Sequence, residues 1–162
     1  MLFRSKVELR DVRDVAPQAE AIVVAVAAEI ASFLPRAEVH HIGATSLPLG
    51  RTKGDVDVNV RVAAAGFADA VAALRERFAV AQPENWTAGF ASFATDAYGL
   101  PLGLQVTAVG SPDDFLLELR DRMRADPELA YRYDEVKRDA AAGGPAAYWE
   151  AKNRFIAALL GR

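Results

Sequence analysis

Residues 54–62 alternate almost without fault, with Asp55, Asp57 and Asn59 on one parity and Val56, Val58 and Val60 on the other. A period of two marks a β-strand with one polar and one apolar face. Elsewhere the apolar positions recur at helical spacing. Residues 17–34 read as a helix that begins at Pro17 and is closed by Pro35, and residues 66–78 as a second, with Phe67, Ala70, Val71 and Leu74 on one face. Residues 38–42 predict a short strand and residues 79–82 a brief one. Two further strands, 89–95 and 102–109, flank Asp-Ala-Tyr-Gly-Leu-Pro, which has the residues of a hairpin turn.

Beyond residue 110 the pattern becomes helical. Ser111, Pro112, Asp113 and Asp114 predict a helix start, with a Ser cap, Pro at the first position and acids in the first turn. Asp126, Pro127 and Glu128 repeat that signal. Gly143, Gly144 and Pro145 break the helix and open a last one that runs to residue 160. The expected fold is of the α/β (α+β) class in a single domain: a mixed sheet with flanking helices over residues 1–110, and a C-terminal helical segment over 111–162.

Composition narrows the function. With 52% hydrophobic residues, the 162-residue chain has enough apolar material for a packed core. The apolar stretch at 19–34 is interrupted by Glu20, Glu29 and Ser32, so no membrane span is expected, and the first residues lack the order of a secretory signal. The absence of cysteine excludes disulfides, zinc–thiolate sites and a cysteine nucleophile, and makes a reducing cytoplasm the expected location. A net charge of −3 gives no broad footprint for nucleic acid, but leaves room for a local basic pocket that takes a nucleotide.

The chemistry concentrates around the alternating strand. Carboxylates two residues apart on a strand are rooted about 6.5–7 Å apart, and their tips can converge on a divalent cation. Upstream lies the small-residue turn Gly43, Ala44, Thr45 and Ser46, whose N–H groups and hydroxyls suit a phosphate, or equally a helix cap. Lys53 or Arg51 can instead neutralise the acids in a purely structural cluster. His40 and His41 are adjacent and point to opposite faces, so they do not share an ion. Tyr133 and Lys137 are four residues apart, as are Tyr148 and Lys152, which sets each pair on one helix face. These pairs suit an anionic ligand, or a helix surface with Tyr at the core edge and Lys in solvent. Trp86 and Trp149 suit base stacking or the core.

The motif His-Ile-Gly-Ala-Thr-Ser-Leu-Pro at 41–48, with Lys53 and Asp57 at fixed spacing after it, resembles that of the GrpB family, whose fold is similar to the nucleotidyltransferase superfamily. Arg120, Asp121, Arg124, Pro127, Tyr133, Lys137, Tyr148, Lys152, Phe155 and Ile156 follow the family's C-terminal pattern, so the resemblance runs from about residue 38 to the end. Ala44 replaces a Ser of the family motif, and Leu49-Gly50 inverts its usual order. Gly103 and Gln105 stand where a His-x-His pair is usual, and Asn59 stands where the superfamily's second acid would follow Asp57. The resemblance implies Mg²⁺ at Asp57, with Asp55, read from the strand, substituting from the other side for the acid missing at Asn59; Asp55 and Asp57 would then also be the catalytic pair. It implies a phosphorylated ligand held by His41, Gly43, Ala44, Thr45, Ser46 and Gln105, with Lys53, Lys137 and Lys152 neutralising its charge and Tyr133 and Tyr148 positioning it. Two functions stay open: nucleotide or phosphorylated-ligand binding with Mg-dependent nucleotidyl transfer, and a catalytically inactive ligand-binding or protein-interaction module of the same fold.

Overall fold

The computed structural model describes residues 7–161. A two-residue strand, β1 (Arg10–Asp11), leads directly into α1 (Val12–Phe33). This helix starts five residues before Pro17, because the Asp11 carboxylate accepts a hydrogen bond from Arg13 N at 2.8 Å and caps it. Pro17 therefore lies inside the helix, where it forfeits one i→i−4 bond. At 22 residues α1 is long and apolar enough to cross a membrane. Its stripe of Ala19, Ile22, Val26 and Ile30 is instead buried in the protein's own core.

The remaining strands are β2 (Glu38–Ile42), β3 (Arg51–Thr52), β4 (Val56–Val62), β5 (Ala79–Val80), β6 (Phe90–Thr95) and β7 (Leu102–Ala108), with α2 (Phe67–Arg75) between β4 and β5. Five strands form a mixed sheet in the order β2-β4-β7-β6-β5, in which β4 and β7 are parallel and the other neighbours antiparallel. β1 and β3 make a separate antiparallel pair.

One face of the sheet is apolar by alternation. Val56, Val58, Val60 and Val62 of β4 and Leu102, Leu104, Val106 and Ala108 of β7 pack with α1 and α2 into the main core. The opposite face carries the other parity, and the register arranges it in rows. His40, Asn59, Gln105 and Ser92 lie side by side across four strands, and Ile42, Asp57, Gly103 and Ala94 form the next row. Asp55 lies outside this arrangement, because β4 begins at Val56 rather than at Gly54.

The polar face is covered by α3 (Leu116–Ala125), α4 (Pro127–Ala141) and α5 (Pro145–Leu159), whose own small core joins Leu47, Met123, Leu129 and Tyr133. Asp126 caps α4 by accepting from Glu128 N and Leu129 N, and Pro127 and Pro145 open α4 and α5 as expected. The predicted start at Ser111 is not a helix. Residues 111–115 form turns, because their acids are drawn into tertiary contacts: Asp113 accepts from the Thr87 hydroxyl at 2.7 Å, and Asp114 takes two bonds of 2.8 Å from Arg61.

Candidate ligand cleft

Between the polar face of the sheet and the helical cover lies a cavity of about 330 Å³. Gly43, Asp57, Gln105, Tyr133 and Lys152 line it, so five of the expected metal and ligand residues meet there. Trp149 joins them at the rim and is 42% exposed.

Asp57 is the centre of this constellation. A Cβ added at Gly43 would stand 2.7 Å from its Oδ2, and one added at Gly103 would stand 2.7 Å from its Oδ1. The carboxylate is thus seated between two backbones that only glycine lets come so close. Gly103 stands where a His is usual in the family, and its lack of a side chain leaves room here for the Asp57 carboxylate. Burial, helped by repulsion from Asp55, pushes the Asp57 carboxyl up from 3.8 to about 7, against the pull of Lys152 and Lys53.

Asp55 sits just before the strand, where Lys53 Nζ approaches its Oδ2 to 3.6 Å. Lys53 and Lys152 converge from different elements on the same aromatic pair. Their Nζ atoms lie 4.7 and 4.8 Å from the Trp149 ring centre, and 5.4 and 5.3 Å from that of Tyr148. Each ring faces two ammonium groups, which holds the cations close to the carboxylates without neutralising them.

The Tyr-Lys pairs divide in their roles. Tyr133, Tyr148 and Lys137 are buried, while Lys152 is half-buried at the cavity. Lys137 is thus not a solvent-facing residue: it donates to the Arg51 carbonyl and lies 4.0 Å from Asp134, tying α4 to β3. Burial lowers its ammonium to about 8 and raises the Tyr148 phenol to about 12; the Tyr133 phenol also shifts upward for the same reason.

The turn at 43–46 is internally bonded. Residues Ala44–Ser46 form one 3₁₀ turn, the Ser46 hydroxyl donates to the Gly43 carbonyl at 2.6 Å, and Thr45 Oγ1 lies 2.8 Å from His41 Nε2. No α-helix follows, so the alternative of a helix cap falls away; the chain passes to β3 instead. His41 pairs with Val58 and so lies on the sheet face opposite Asp57. Its ring steadies the turn through the Thr45 side chain, and its carbonyl accepts from Arg120 at 3.1 Å. Burial, with Arg124 and Arg120 nearby, brings the imidazole down from 6.5 to about 4, so it stays neutral.

Several cavity residues carry no signal in the local sequence pattern. Asn85, Phe90 and Phe115 come from a 3₁₀ turn, a strand start and the turn before α3, which meet only in the fold. Arg120 stood out in the C-terminal pattern, but nothing in its spacing placed it at a cavity.

Among the described residues no three His, Cys, Asp or Glu side chains are grouped so as to hold a metal ion. Asp57 lines the cavity, and Asp55, close enough to raise the Asp57 pKa, is the second acid beside it. Magnesium commonly takes one or two carboxylates and completes its shell with phosphate oxygens and water, so this donor set fits an ion shared with a phosphorylated ligand.

A family model described as GrpB protein matches residues 10–162. A Vibrio cholerae serotype O1 relative, UPF0157 protein VC_A0354, is 32% identical over 134 residues, covering 83% of this chain and 71% of the relative. The crystal structure of GrpB from Enterococcus faecalis superposes with a TM-score of 0.68 at 18% identity, covering 91% of this chain and 99% of that one. An H336N mutant of the Cid1 poly(U) polymerase, solved with MgATP, matches with a TM-score of 0.50 at 14% identity, over 82% of this chain and 45% of that one. The fold is nucleotidyltransferase-like, and the chain belongs to the GrpB family.

Proposed function

We propose that the cleft binds a nucleotide or other phosphorylated small molecule, with Mg²⁺ shared between its phosphates and the carboxylates of Asp55 and Asp57. The observation that carries this reading is the seating of Asp57 between Gly43 and Gly103 at a cavity that Lys152 also lines. A buried carboxylate held beside a second acid is unfavourable alone, and gains from a cation supplied with the ligand. Lys53 and Lys152 would neutralise phosphate charge, while Trp149 and Tyr148 hold those ammonium groups in place. Mg²⁺ held by Asp55 and Asp57 would supply the Lewis-acid charge that nucleotidyl transfer requires. Lys137, Tyr133 and His41 act through structure: they fix β3, α4 and the turn around the cavity.

Thermal stability against nucleotides, each with and without Mg²⁺ or Mn²⁺, tests the reading. A ligand at 100 times its dissociation constant adds about 2.7 kcal/mol. The expected result is a shift with nucleotide and metal together, little with metal alone, and loss of the metal-dependent part in Asp57→Asn. No shift with any nucleotide would refute it.

A second reading rests on the same donor set. With two acids, and with Asn59 and Gln105 where further acidic or imidazole groups would stand, the cleft fits a module that binds without turning over. Metal-dependent binding without release of pyrophosphate from any nucleoside triphosphate would favour it.

A further inference from the structure

The cavity has two chemically different ends, and Asp57 with Lys152 accounts for one. The cavity runs past Gln105 of β7, between Asp57, whose strand partner is Gly103, and Phe90, whose strand partner is Thr107. Four residues of strand carry it about 13 Å. That is a suitable length for a nucleotide laid from phosphates to base.

The far end is walled by apolar side chains. Phe90 and Leu116 line the cavity and belong to neither core cluster. Asp113 also lines this end. Its neighbour Asp114 is paired with Arg61, yet among the described residues no Lys, Arg or His is paired with Asp113. The Thr87 hydroxyl donates to its Oδ2 at 2.7 Å and fixes the carboxylate's orientation. An ionised carboxylate has about four acceptor positions, and Thr87 fills one. Asp113 is partly exposed at the cavity, so its remaining acceptor positions are open to N–H donors from a ligand.

We propose that this end is a base subsite that selects guanine, with Asp113 accepting the ring N–H and the exocyclic amine while the ring lies against Phe90. The proposal rests on the nucleotide reading above and names its substrate class. Guanine is the common base that presents two donors side by side. Uracil's ring N–H lies between two carbonyls, and the amines of adenine and cytosine adjoin ring nitrogens that accept, so each would set an acceptor against the carboxylate. Asn85 lines the same end and lies two residues before Thr87; its amide can donate to the guanine carbonyl next to the ring N–H.

Titration calorimetry of the full chain with Mg²⁺ and GTP, ITP, ATP, UTP or inorganic triphosphate tests this. GTP is expected to bind about tenfold or more tightly than ITP, which lacks the exocyclic amine, and than ATP and UTP. Asp113→Asn should bring GTP down to the level of ATP, and Thr87→Val should weaken GTP by a smaller factor. Because the GTP–ITP comparison uses the unaltered protein, it holds even if a variant fails to fold. Triphosphate binding with equal affinity for all bases would overturn the base subsite and leave the phosphate reading standing. A GTP preference untouched by Asp113→Asn would overturn the role of Asp113. Binding of neither triphosphate nor any nucleotide would overturn both.

Discussion

Asp57 is a carboxyl whose protonation is set by its seat, which makes the stability of the ligand-free protein depend on pH. Its folded-state value of about 7 lies above the ordinary 3.8, so between those limits the folded chain keeps a proton that the unfolded chain releases. Stability therefore falls as pH rises through that window, and the loss is complete above pH 7. Asp57→Asn removes the penalty: denaturant titrations should find the variant about 2–4 kcal/mol more stable than the parent at pH 8 and nearly equal at pH 4. A variant equally destabilised at both pH values would show that Asp57 is not strained in this way. The flanking glycines give a second contrast. Gly103→Ala sets a Cβ against Oδ1 of Asp57, whereas Gly43→Ala adds the same contact on Oδ2 to a backbone at φ +75°. Both should lower the midpoint of thermal unfolding, with Gly43→Ala the more severe by about 1 kcal/mol or more. Asp57 itself is legible in sequence through its motif and parity. Its confinement is not, because Gly103 lies 46 residues away and becomes its neighbour only when β4 pairs with β7 in parallel.

Elements whose faces are plainly one-sided match the sequence pattern, and the departures occur where tertiary contacts compete with local signals. The valines of β4 specify a buried face with no help from elsewhere, and β2, β6 and β7 begin and end within a residue of expectation. Pro17 reads as a helix start, yet Asp11 supplies a cap earlier and α1 absorbs the proline. Ser111-Pro112 has every local mark of a helix start, and loses to the pull of Arg61 and Thr87 on the two acids that follow. At Asp126 the same kind of signal meets no competitor and the cap forms. Asp126→Ala should therefore cost about 1 kcal/mol in chemical denaturation. That loss falls on the helix that brings Tyr133 and Lys137 to the cleft, so nucleotide affinity should drop with it; full stability in the variant would mean α4 needs no cap.

At the scale of the whole molecule, two unequal cores meet across a cavity. The main core joins both α1 and α2 to the sheet, while α3, α4 and α5 share a small cluster around Leu47, Met123, Leu129 and Tyr133. The cover is held to the sheet side largely by polar ties: Arg120 to the His41 carbonyl, Arg124 to the Ser46 carbonyl at 3.0 Å, Lys137 to the Arg51 carbonyl, and Arg51 N to Asp134 at 2.6 Å. Such ties contribute about 1 kcal/mol each and leave the space between the layers unfilled. Local opening is easiest where few apolar contacts resist it. Hydrogen exchange of the free protein should therefore show α4 and α5 less protected than β4 and β7, though the helices are continuous. A ligand that spans from Lys152 on α5 to Asp57 on β4 adds contacts to both layers at once, so its binding should slow exchange in α4 and α5 toward the rate of the sheet. Uniform protection in the free protein would mean that the two cores unfold as one unit; unchanged exchange in the helices on saturation with nucleotide and Mg²⁺ would place the ligand outside the cleft.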